Sequence, residues 1–309
     1  MLFNGKWQIE DDKEMLLPKI VEIVDVAPRD GLQMLPNIVP TEGKVELIQS
    51  LRRAGVKRIE AASFVSPRYV PQMADAGEVL SQIGKDENSK MMALALNEKG
   101  YRRAVETNVD WICYVVAATE TMNRKNANTN LNDALNAFRR ATEIAHQNNI
   151  KIRGSIAVTW ICPHEGEVSK KRVLEITEEL FAAGADEVAY NDTVGRATPK
   201  DVYELCSKAK EHWPDKVFAA HFHDTNFTAL ANIYAALTAS WTIFDSSVGG
   251  LGGCPFSPGA SGNVATEKVV WMMHRMGIET GVDEEELKKC AELVQHLANG
   301  NPIAMKTGG

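Results

Sequence analysis

Eight short apolar runs rich in β-branched residues, separated by stretches of helical periodicity, constrain this chain more than any other feature. They fall at 21–27, 58–64, 91–97, 111–118, 151–160, 187–192, 218–224 and 243–249. Between them apolar residues recur at helical spacing, as in Val45, Leu47, Ile48, Leu51 and Ala54, or Val173, Ile176, Leu180 and Ala183. Strand–helix alternation implies a parallel sheet, because parallel neighbours need a long crossover connection. Helices stop at Ala54-Gly55-Val56 and Ala183-Gly184-Ala185, where glycine supplies a left-handed cap. An open doubly wound sheet has the same alternation, but no Gly-x-Gly-x-x-Gly follows the first run. Eight units in 309 residues fit a closed (β/α)8 TIM barrel, for which about 250 residues is typical.

The expected organisation is an N-terminal tail (1–18), a catalytic barrel (19–280) and a C-terminal helix and tail (281–309). Asp283 with Glu286 forms a capping box for a helix reaching about Ala298, stopped by Gly300 and Pro302. This helical cap covers or flanks the barrel.

The net charge of -7 argues against nucleic acid as a partner, since phosphate-backbone binders gather basic residues on one face. No apolar run approaches the roughly 18 residues that span a bilayer. The first eighteen residues hold Asp11, Asp12 and Glu14 and read as neither signal nor transit peptide. Cysteines 113, 162, 206, 254 and 290 are scattered, without a Cys-x-x-Cys pair, so neither a disulfide framework nor a zinc knuckle is indicated. The expectation is a cytoplasmic protein acting on a small molecule.

Barrel enzymes carry their chemistry where strands end. His221-Phe222-His223 lies in the seventh run, and the strand period of two turns both imidazoles to one face, as two ligands of one metal require. In an arbitrary strand such a pair is more often a hydrogen-bonded core feature; at a barrel mouth it reads as a metal site. The first run ends in Arg29-Asp30-Gly31, a turn or, at this position, a cation beside a third ligand, Asp30. Glu60 sits inside the second run, where an unpaired carboxylate is costly, and Arg29 is its expected partner. Asp192 closes the sixth run and is a candidate to orient substrate or move a proton. After the eighth run, glycines 249, 250, 252, 253, 259 and 262 make a mobile loop. It carries Cys254, a candidate to exclude water and exchange a proton, and Asn263, a candidate carbonyl ligand. Such a nitrogen and oxygen donor set suits one divalent cation, Mg2+ or Mn2+, better than structural zinc.

Together, Arg29-Asp30-Gly31-Leu32-Gln33, Glu60 with Ser63-Phe64-Val65, Asp192-Thr193, His221-Phe222-His223-Asp224-Thr225, Gly250-Leu251-Gly252-Gly253-Cys254-Pro255 and Gly262-Asn263 resemble the hydroxymethylglutaryl-CoA lyase family. The likeness runs from about residue 20 to 300, and the Asp30 and His-x-His core is shared with related Claisen-type synthases such as isopropylmalate synthase. It implies that Asp30, His221, His223 and Asn263 bind the metal, that Arg29 faces the thioester carbonyl, and that Cys254 is a catalytic thiol and proton donor. The implied reaction is a retro-Claisen cleavage: a tertiary hydroxyl loses its proton, a C–C bond breaks and an acetyl-CoA enolate is reprotonated. Asp192, Asp30 and His221 all remain candidates to take the first proton. The segment Asn123-Arg124-Lys125-Asn126 matches the family's approach to the CoA phosphates, with Gln33 and Ser63 as further substrate contacts. The resemblance also implies a homodimer.

Departures bear on the acyl group. Met34-Leu35 replaces Asn-Glu, Ala189-Tyr190-Asn191 replaces Ser-Leu-Gly, Ile161 replaces a glycine, and Asn226-Phe227 replaces a glycine-containing pair. Met34, Tyr190 and Asn191 are expected beside the pocket, leaving a different 3-hydroxyacyl-CoA ester, such as a citramalyl-CoA-like one, as an alternative. A synthase or aldolase acting on a 2-oxo acid, and a non-catalytic metal-retaining protein, are the other readings.

Overall fold

A computed structural model of the protein describes residues 17–253 and 262–300. Eight parallel strands close a barrel: β1 (Glu22–Asp25), β2 (Arg58–Ser63), β3 (Lys90–Leu94), β4 (Trp111–Ala117), β5 (Lys151–Ala157), β6 (Glu187–Asp192), β7 (Phe218–Phe222) and β8 (Ile243–Ser246). Each lies beside its neighbour in sequence, and β8 pairs with β1, Glu22 opposite Ile243, so no strand edge is left open. All eight expected strands are present. The only other strands among the described residues form a two-stranded hairpin, Ile161–Cys162 with Gly166–Glu167.

Outward residues such as Ile23, Ile59 and Ile152 pack against helical stripes, including Leu47, Ile48 and Leu51 of the helix Thr41–Arg53. Inward, a smaller apolar cluster holds Val24, Met92, Leu94, Cys113, Ala189, Ala219 and Ile243. Seven of the eight strands end one to three residues before their apolar runs do, and at three of them the backbone turns sharply. β1 gives way to a π-helical turn over Ala27–Gly31, and β8 to a 3₁₀ turn over Val248–Gly250. β5 stops where Val158 adopts φ 51.

Charged groups run through the barrel interior. Arg58 spans Glu22 (2.7 Å) and Glu187 (2.9 Å), and its guanidinium lies 4.4 Å from the centre of the Trp111 ring. Glu187 also accepts from Arg153 Nε, and Arg153 Nη1 reaches both oxygens of Asp245 at 2.8 and 2.9 Å. Burial of so many charges is tolerable only because each has a partner.

The C-terminal helix covers Glu284–Ala298. Asp283 caps it, accepting from the backbone N–H of Glu285 (2.8 Å) and Glu286 (2.9 Å). The reciprocal half of the expected box is absent, because Asp283 N–H donates to Ala54 at the end of the helix Thr41–Arg53, and Glu286 pairs with Lys289. The helix therefore flanks the barrel, packing on Thr41–Arg53 and on the turn after β8. Most of both expected tails lies outside the described residues.

Asp25 ties the π-helical turn to the loop after β8. Its carboxylate accepts from Ala27 N–H (2.9 Å), Val248 N–H (3.0 Å) and Thr266 Oγ1 (2.7 Å). Burial nonetheless pushes its pKa from 3.8 up to about 7. The folded state therefore holds this proton more tightly than the unfolded chain, so its contribution to stability is complete below about pH 4 and is lost as pH rises to about 7. The unfolding midpoint should show this falling component, and Asp25→Asn should flatten it, whatever the lost acceptor does to the absolute midpoint. Parallel wild-type and variant profiles would count against this assignment.

Candidate active site and metal centre

The π-helical turn after β1 projects Arg29 and Asp30 over the barrel mouth. The N–H groups of Asp30 (2.8 Å) and Gly31 (3.2 Å) both donate to Val26 O, the widened ring that gives the turn its form. Arg29 donates through Nε to Glu60 at 2.7 Å and through Nη1 to Asp30 at 2.5 Å. Glu60 is 1% exposed, and Arg29 is the partner that the sequence called for. Burial holds Glu60 above the ordinary carboxylate range despite that arginine. Asp30 lies below it: burial opposes ionisation, but the charges of Arg29, His221 and His223 prevail.

His221 and His223 share the inner face of the β7 strand end, with ring centres 5.2 Å apart. One donor atom each from Asp30, His221 and His223 lies within 4.8 Å of the others. His221 Nδ1 is 3.3 Å from Asp245. Although burial opposes it, the Arg153 charge holds Asp245 well below the usual carboxylate range, so this oxygen can only accept. A proton on Nδ1 donates to this oxygen and leaves Nε2 to face a metal.

Asn263 comes from the far side of the glycine loop. Backbone bonds from Ser247 to Val264, Val264 to Phe222 and Asp224 to Gly262 strap this segment across β7 and β8, opposite His223. Its Nδ2 donates to Asp30 (2.8 Å) and Leu251 O (3.0 Å), while Oδ1 is buried without a partner. Gly252, at φ 125, permits this approach: a Cβ there would sit 2.3 Å from Asn263 Nδ2. An amide pinned to Asp30 through its nitrogen, with its buried oxygen orphaned, adds an oxygen donor to one carboxylate and two imidazoles, a set that fits an oxygen-preferring divalent cation.

The remaining expected residues fall at different depths. Ser63 ends β2 fully buried, with its Oγ 3.4 Å from Val65 N–H. Gln33 is half-buried just past the π-helical turn. Arg124 and Lys125 are exposed and Asn126 half-buried on the helix Glu120–Ala127 after β4. Among the described residues neither cation has an ion-pair partner. Asn123 in that segment is structural, its side chain bonding Ala117 and Thr119. Asp192 turns onto its own loop, accepting from Arg196 (3.1 Å) and Ala197 (3.0 Å), and burial pushes its pKa up to about 6. Cys254 lies outside the described residues.

Tyr190 corrects an expectation. It faces away from the pocket, bonded to Thr177 at 2.8 Å and packed among Trp160, Phe218 and Trp241. Strand alternation turns Asn191 inward instead. Asp245 and Arg153 went unread in the sequence. The signal was available: each is a charged residue inside an apolar run, the same argument that singled out Glu60.

The family model described as HMGL-like matches residues 20–294. The chain belongs to the HMGL-like family. It is 41% identical over 282 residues to mitochondrial hydroxymethylglutaryl-CoA lyase from Bos taurus, covering 91% of this chain and 87% of that protein. The crystal structure of Bacillus subtilis HMG-CoA lyase superposes with a TM-score of 0.89 at 38% identity, over 94% of this chain and 97% of that one. An HMG-CoA lyase from Acinetobacter baumannii, solved with coenzyme A and 3-methylmalate, gives 0.87 at 35% identity, over 94% and 95%. Family membership and geometry together make the carboxylate behind His221 a measurable support for metal binding. Asp245→Asn should weaken Mn2+ binding by about 10- to 100-fold, read by calorimetry; unchanged affinity would show that the contact does not orient the ligand.

Proposed function

We propose that this protein is a divalent-metal-dependent carbon–carbon lyase that cleaves 3-hydroxy-3-methylglutaryl-CoA to acetyl-CoA and acetoacetate. The observation that carries this reading is the convergence of Asp30, His221, His223 and the orphaned Asn263 Oδ1 beside a guanidinium locked by Glu60. The hydroxymethylglutaryl-CoA lyases that resemble it over about nine-tenths of its length support the substrate.

Asp30, His221, His223 and Asn263 would hold Mg2+ or Mn2+. Bound there, such an ion supplies Lewis acidity that lowers the pKa of an alcohol. Arg29, fixed through Nε and Nη1, offers positive charge where the thioester oxygen becomes an enolate. The hydroxyl proton passes to Asp30 or His221 of the ligand cluster, or to Asp192, whose carboxylate rests on its own loop at the end of β6. As the C2–C3 bond breaks, its electron pair enters the thioester enolate and C3 becomes the ketone of acetoacetate. Cys254 then returns a proton to C2, completing acetyl-CoA; Gly252, shortly before it in the chain, packs against Asn263 and Asp30. Arg124, Lys125 and Asn126 receive the CoA phosphates, and Gln33 and Ser63 border the acyl group. The four described cysteines are free and buried, which suits a cytoplasmic setting. No described helix is long and apolar enough to cross a membrane. A homodimer is the expected assembly.

Acetyl-CoA release from 3-hydroxy-3-methylglutaryl-CoA should vanish after chelation, return with Mg2+ or Mn2+, and be lost in His221→Ala. Cys254→Ala should lower kcat by about 10²- to 10⁴-fold, the usual worth of a positioned proton donor, without changing Mn2+ affinity. Turnover that persists without metal would contradict the proposal.

A further inference from the structure

Asn191 is held at the mouth by a backbone arrangement that gives its side chain nothing to do. It sits beside His221 in the β6–β7 register. Its N–H donates to Thr159 Oγ1 at 3.0 Å, and its carbonyl accepts Thr159 N–H at 3.1 Å. Just before Thr159, Val158 bends the end of β5 at φ 51, a left-handed conformation unfavourable for a β-branched residue. Alternation along β6 puts Glu187, Ala189 and Asn191 on the inner face: Glu187 pairs with Arg153, Ala189 joins the interior cluster, and Asn191 follows. Its Oδ1 is buried with no hydrogen-bond partner, and neither end of the amide bonds any described residue. An unsatisfied polar group at the end of an otherwise well-paired strand, beside a left-handed turn at Val158, points to a ligand.

The position narrows the ligand. Going round the mouth from Arg29 and Asp30 after β1, the order is Asp245 on β8, His221 and His223 on β7, then Asn191 on β6. An ester with its thioester at Arg29 and its reacting carbon at the histidines directs its far arm towards β6. An amide free at both ends complements an edge presenting a hydrogen-bond donor next to an acceptor. A 3-hydroxy acid has such an edge, hydroxyl and carboxylate.

We infer that Asn191 is the specificity-determining residue for the acyl group, its Oδ1 accepting from the C3 hydroxyl and its Nδ2 donating to the distal carboxylate. This rests on the lyase reading above. The distal carboxylate is unchanged as the C–C bond breaks, so its contact with Nδ2 stabilises the bound ester and the transition state alike, and its loss is read in KM. Asn191→Ala should raise KM for 3-hydroxy-3-methylglutaryl-CoA about 10-fold or more, the worth of a hydrogen bond to a charged group, with kcat little affected. Asn191→Asp, which repels the carboxylate, should raise it further. Calorimetry with 3-methylglutaryl-CoA, which lacks the hydroxyl and is not cleaved, should show the carboxylate contact as weaker binding to Asn191→Ala than to wild type. Mn2+ affinity should be the same in all three proteins. An unchanged KM, equal binding of the analogue, or a joint fall of kcat and Mn2+ affinity would overturn the inference. Failure of the wild type itself to cleave the ester with metal present would instead sink the lyase reading.

Discussion

The site depends on a carboxylate that a buried arginine keeps ionised. Arg153 Nη1 holds both oxygens of Asp245, and Asp245 in turn fixes His221 Nδ1. Without Arg153, Asp245 would be an isolated charge in the barrel interior, would take up a proton, and would cease to dictate which nitrogen of His221 is free. Arg153 is itself stabilised by Glu187, and Glu187 by Arg58, so the orientation of one ring at the mouth is anchored in the lower barrel. Such a chain is expensive to bury, and replacing it by apolar residues need not destabilise the fold. Its presence is better explained by the geometry it imposes.

A closed parallel barrel makes this possible. All strands deliver their C-terminal ends to one rim, so Asp30, His221, His223 and Asn263, more than two hundred residues apart at the extremes, become neighbours. Each strand end relinquishes regular structure in a different way. β1 widens into a π-helical turn to present Arg29 and Asp30 together. β5 ends at a left-handed valine that carries Thr159 onto β6. The crossing segment 262–265 adds backbone bonds over β7 and β8 and brings Asn263 against Asp30. Irregularity is concentrated at the rim, where residues have to be aimed.

Much of this was legible in the chain alone, because its signals are periodic or local. The alternation of strand and helix, the shared face of His221 and His223, and the need of Glu60 for a cation each follow from short-range rules. Asp245 and Arg153 were legible in principle, but their significance depends on a side-chain contact across 92 residues, which no local pattern reports. Tyr190 and Asn191 were expected beside the pocket together, as adjacent departures; the strand period assigns Tyr190 to the outer face and Asn191 to the inner one. The half-formed capping box at Asp283 was hidden for a similar reason, since the competing acceptor, Ala54, comes from the first helix.

The rim therefore divides its labour: the carboxylate and imidazoles of β1 and β7 meet the crossing segment, Glu60 holds the Arg29 charge, and an unsatisfied amide lies on β6. The central claim is the ligand set. The most direct test is anomalous diffraction from crystals grown with Mn2+. The account predicts one strong peak bonded to Asp30, His221 Nε2, His223 and Asn263 Oδ1, with Asp245 still on His221 Nδ1. A peak elsewhere, or a bound ion with Asn263 Oδ1 turned away, would contradict it.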